Sequence, residues 1–146
     1  MAIGGAMNIP NLRSPREKVG GLYHFGRMLD KIRLHAAGKL PADYIPNLGV
    51  GFDGKCLSFL HIDYAALVAR VAQGGTDEEL LAWCFEQGRK PTDVEIMVWN
   101  AFMSKRGWND EASAVLQERI PQHEGLAGRT DIQTFFDLID ADEGRL

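Results

Sequence analysis

Two histidines, two arginines, a lysine and an aspartate crowd into one short stretch, His24 to Gly38, "HFGRMLDKIRLHAAG". Such side chains can supply a general base, cations for an anionic group, or metal ligands. At about 100° per residue, His24, Arg27, Lys31 and His35 fall within about 80° of one another on a helix. They form a cationic stripe opposite an apolar face of Leu22, Phe25, Leu29, Ile32 and Ala36, with Asp30 one step aside. The stripe has two readings. It can receive an anion beneath the Tyr44 to Gly54 loop, or it can be a solvated face on which Asp30 pairs with Arg27 or Arg33. A shared metal is excluded by length, because eleven residues separate His24 from His35 by about 16 Å.

No other stretch carries a chemical signature. GxSxG, P-loop, HExxH and EF-hand patterns are absent, and the glycines of "NLGVGFDGK" lack the flanking strand and helix of a nucleotide-binding turn. His61 and His123 have no His or carboxylate at i+3 or i+4. Cys56 and Cys84 stand singly in apolar surroundings and read as reduced core thiols. Trp83 and Trp99 keep helical spacing with apolar neighbours, whereas Trp108 follows the Gly107 stop and reads as a surface anchor. The expectation is therefore no metal, no cofactor and no assignable catalytic residue.

The elements that would position these residues are helices. Ser14, Pro15 and Glu17 have the order of a capping box and predict a short first helix before Gly20-Gly21. Leu22 to Ala36 predicts a second helix ending at Gly38. "KLPADYIPNLGVGFDGK" predicts a long irregular connection, and "CLSFLHI" is an apolar run of either type. Asp63, Thr76 with Glu79, and Thr92 with Glu95 each cap a further helix, with stops at Gly74, Gly88 and Gly107. The helix from Val94 to Met103 is apolar on nearly every side and is expected to be buried at the centre. Asn109 or Asp110 opens the next helix, stopped by Pro121, and Thr130 is expected to cap the last. The pattern predicts an all-α fold, a single-domain compact bundle of six or seven short helices over residues 12–146, after a flexible segment at 1–11.

With 146 residues, 45% hydrophobic and 25% charged, the chain has the composition of one ordinary domain. A net charge of -4 gives no overall positive field, which argues against nucleic acid as a partner even with Arg13, Arg16 and Lys18 near the stripe. No leader pattern and no apolar run of membrane-spanning length occurs, so a cytoplasmic location is expected.

Two segments, Leu12 to Tyr44 and Phe135 to Arg145, resemble a bacterial family of unknown function, number 5069. The motifs are Pro15-Arg16-Glu17, Gly20-Gly21, Arg27, Asp30-Lys31 and Glu143-Gly144-Arg145, and "IDYAALVARVAQGGTDEELLAW" resembles the family's middle. Gly26 stands where members often have proline. The resemblance implies a small helical bacterial protein and supplies no activity, cofactor or catalytic residue. It suggests that the acidic tail folds back on the Arg27, Asp30, Lys31 and Arg33 region, with Glu143 facing a base and Arg145 facing Asp30.

Two functions are expected from these observations. One is a noncatalytic binding or protein-interaction module. The alternative is an enzyme or binding protein for a small anionic ligand, held by His24, Arg27, Asp30, Lys31, Arg33 and Arg145.

Overall fold

The computed structural model describes residues 8–146, and the first part of the N-terminal segment expected to be flexible lies outside them. Among the described residues the chain is all-α, with seven α-helices and two short 3-10 stretches. Its internal contacts divide into one unit at Asn11–Val98 and another containing Trp99–Leu146.

In the first unit, α1 (Phe25–Ala36), α2 (Phe52–Leu60), α3 (Tyr64–Ala72) and α4 (Asp77–Gln87) follow in order, and α5 (Asp93–Lys105) begins there. Helix α1 is the centre: it packs on α2 and α3, and α3 packs on α4. Nine of its twelve residues are buried. It ends as a Schellman motif, in which Lys39 N–H donates to Leu34 O (2.8 Å) and Gly38 N–H to His35 O (3.1 Å), with Gly38 at φ 69°. The caps at Asp63 and Thr76–Glu79 form as expected, and Thr92 and Glu95 exchange reciprocal bonds of 2.8 and 3.2 Å.

Several expectations need correction. Residues Ser14 to Glu17 form a turn, closed by Glu17 N–H on Ser14 O at 3.1 Å, because too few residues precede the Val19–Leu22 bridge to nucleate a helix. "CLSFL" lies in α2, which starts earlier, at Phe52, and ends at Leu60 with His61 as its cap, and the 3-10 stretch Ala42–Asn47 takes part of the expected loop. The last helix, α7 (Phe135–Asp142), is capped by Thr134, which accepts from Asp137 N–H, instead of by Thr130. Finally, α5 is not central: Val94, Met97 and Val98 are 60 to 64% exposed, and only Trp99 and Met103 are buried.

The second unit holds the end of α5, α6 (Ser113–Arg119), a 3-10 turn Ile120–Gln122 containing Pro121, and α7. Its core is Leu116, Ile120, Leu126, Ile132, Leu138 and Ala141, with Phe135 laid against it. Helix α6 starts later than expected, because Asp110 spends its carboxylate on the N–H groups of Gly107 (3.0 Å) and Ala112 (2.9 Å) in the preceding turn.

Candidate functional site

Three members of the cationic stripe of α1, His24, Arg27 and Lys31, are buried, and His35 alone among its four members is exposed. The anion they face comes from the chain. Asp53, in the first turn of α2 and 1% exposed, receives His24 Nε2 on Oδ1 at 2.7 Å and Lys31 Nζ on Oδ2 at 2.8 Å. The Gly49 N–H donates to the same Oδ2 at 3.1 Å. Lys31 lies seven residues after His24, nearly two helical turns, so both side chains leave α1 on one side. The lysine stem leans back toward the helix N-terminus and closes the remaining distance.

Local backbone fixes this geometry. His24 caps α1 in the left-handed region, at φ 74°, which few non-glycine residues adopt; its N–H is held by Pro15 O at 2.8 Å. The ring then stands edge-on to Phe52, with centroids 5.8 Å apart. Gly49 has φ 74°, and a Cβ there would lie 3.0 Å from the Tyr64 ring, so both conformation and space call for glycine.

Burial pushes the His24 pKa down, with further lowering by the Lys31 and Arg27 charges against the opposing pull of Asp53. Burial alone would raise Asp53, but the His24 hydrogen bond and the Lys31 charge outweigh it and hold this carboxyl below its ordinary range. The consistent state is an ionised Asp53, a charged Lys31 and a neutral His24 that donates its Nε2 proton. His24 Nδ1 then carries a lone pair, and this buried atom has no hydrogen-bond partner. An aspartate orienting a neutral imidazole is the base half of many catalytic dyads. Here both side chains are enclosed, so the group acts as a lock between α1 and α2.

The other predicted residues separate into two sets. Asp30 is taken by Arg13, whose Nε and Nη2 donate to its two oxygens at 2.9 and 3.0 Å, while Arg13 Nη1 and Arg33 Nη1 share Asp77 at 2.7 and 2.8 Å. The Asp30 hydrogen bond leads the causes that raise the Arg13 pKa. Arg27 donates to Arg13 O at 3.1 Å. Arg145 belongs to the second unit and bonds Asp140 at 3.0 Å and Glu143 at 2.8 Å. Sequence reasoning missed Arg13, Asp53 and Asp77. For Asp53 a signal existed: a His and a Lys seven apart on a buried helix require a counter-charge, and "GFDGK" offers one beside glycines that let the chain approach.

Both cysteines are free and buried; burial raises Cys56 and pushes Cys84 up to about 12, so neither is poised as a thiolate. Among the described residues no three His, Cys, Asp or Glu side chains gather as a metal site would require, and no helix is long and apolar enough to cross a membrane.

These features define a class: small all-α chains whose central helix carries buried, internally neutralised charges. The profile of DUF5069, a domain of unknown function, matches residues 9–145, so this chain belongs to that family, as its motifs suggested. No curated protein matches it.

Proposed function

We propose that the chain is a noncatalytic interaction module that pairs with a second copy of itself through α5. The observation that carries this reading is the exposed apolar face of that helix, where Val94, Met97 and Val98 stand at i, i+3 and i+4, with Phe102 one turn further on. Large apolar side chains gathered on one exposed helix face favour contact with another apolar surface. Helix α5 is unbroken, so its own geometry fixes the mutual placement of these side chains.

Charge makes the face self-complementary. Asp93 at the start of α5 and Lys105 at its end have no ion-pair partner among the described residues, and they stand about 18 Å apart along the axis. A two-fold antiparallel pair sets each Asp93 near the other copy's Lys105, with Val98 close to the axis. The anionic-ligand reading has less support, because Lys31 and Arg33, two of the cations it would use, already pair with Asp53 and Asp77.

Sedimentation velocity tests this. The protein is expected to shift from monomer to dimer as its concentration rises to about 100 μM. Met97→Glu should abolish the shift, and Asp93→Lys should weaken it until Lys105→Asp is added. A wild-type protein that stays monomeric throughout overturns the proposal.

A further inference from the structure

The second unit carries a feature that the α5 reading leaves unused. An open groove of about 610 Å³ runs beside the turn after α5, between that turn, α6 and the segment before α7. Its volume is within the ~300–1,000 Å³ of ordinary ligand clefts. Trp108 lies on its wall with 55% of its surface exposed. The backbone leading into it is bonded: Trp108 N–H donates to Lys105 O at 2.9 Å, and Gly107 N–H to Asp110 at 3.0 Å.

Around the indole the lining is polar without net charge. Asn109, Gln117 and Gln133 contribute, and their side-chain amides make no hydrogen bond among the described residues. The two charged residues in the lining are already satisfied. Arg129 forms a two-point pair with Asp131 at 2.9 and 2.6 Å and donates to Leu146 O at 3.2 Å, and Asp110 accepts from Gly107, Ala112 and Arg106. An ionised ligand entering here would give up water and find no uncompensated counter-charge. An amide presents both donors and an acceptor, which suits a hydroxyl group that is itself donor and acceptor. An exposed indole face suits a flat apolar patch on the same ligand. A pyranose ring has both, with C–H groups on one face and hydroxyls around its edge.

We propose that this groove binds an uncharged carbohydrate chain, with one ring stacked on Trp108 and its hydroxyls bonded to the amides of Asn109, Gln117 and Gln133.

The test is a nitrogen–proton NMR titration of the whole chain with maltohexaose, cellohexaose and chitohexaose, and with trigalacturonate as an anionic probe. The sequence holds three tryptophans, so the indole signal missing from Trp108→Phe identifies that of Trp108. The expected result is that at least one neutral oligosaccharide moves this signal, with equal affinity at low and high salt. Trp108→Ala, with an unchanged melting temperature, should bind about tenfold more weakly, and Trp108→Phe should keep most of the affinity. The proposal is overturned if no neutral probe moves the signal at about 10 mM, a concentration that would reveal even millimolar affinity. It is equally overturned if binding survives undiminished in Trp108→Ala, or if only trigalacturonate binds and salt abolishes it.

Discussion

Asp53 and Asp131 are both aspartates gripped by basic side chains at short range, Asp53 by Lys31 at 2.8 Å and His24 at 2.7 Å, Asp131 by Arg129 at 2.6 Å. Distance does not separate them; surroundings do. The Asp53 side chain is 1% exposed and its partners nearly as hidden, whereas Asp131 is 54% exposed. In the interior, a charge that loses its partner keeps its full desolvation penalty, while at the surface water and salt replace the partner. An aspartate paired with basic side chains therefore determines how α1 and α2 join in one place and merely decorates a turn in the other.

The largest contrast should come from removing the carboxylates. Asp53→Ala leaves Lys31 buried without a counter-charge and is expected to lose about 3–5 kcal/mol in urea unfolding. A loss indistinguishable from that of a surface substitution would break the comparison. The next effect is the pH dependence that the buried cluster contributes. Folded His24 has its pKa lowered below 6.5, so in acid the unfolded chain takes a proton that the folded chain refuses. Stability is then full above about pH 6.5 and falls as the pH drops below it, by up to ~1.4 kcal/mol per pH unit. Asp53 works in the same direction but lower, its contribution being lost only as the pH falls below about 3.8 and through its depressed folded value. His24→Asn, which tolerates the left-handed backbone, should flatten the slope between about pH 6.5 and pH 5 relative to wild type. Equal slopes in the two proteins would show that folding leaves the His24 pKa unshifted, against the lowering that burial imposes. The smallest effect belongs to Asp131→Ala, which should leave the urea midpoint unchanged within error.

The architecture was readable wherever a local rule sufficed. The capping pairs at Thr76–Glu79 and Thr92–Glu95 and the Gly38 stop are set by residues within one turn of each other, and all form. Failures fall where distant segments decide. Periodicity left the charges of α1 either on a wet face or beneath a loop, because nothing local decides between them; Asp53 comes from 29 positions away and makes their burial possible. Helix α5 fails in the opposite sense: its apolar sides look like core, yet nothing local states that α1 takes the central place. The Trp108 turn was legible from the glycine stop, while the groove beside it needed Gln117 and Gln133, which only the fold brings near.

One bond in the Asp53 cluster has a consequence for motion. Amides in loops normally exchange their hydrogens with water through small, frequent openings, whereas core amides wait for larger ones. The Gly49 amide sits in a loop by sequence, but its acceptor is a carboxylate locked to α1 through His24 and Lys31, with the Tyr64 ring packed against the glycine. Its hydrogen is released when α2 parts from α1. A residue without a side chain thus becomes the clock on the joint between the two helices.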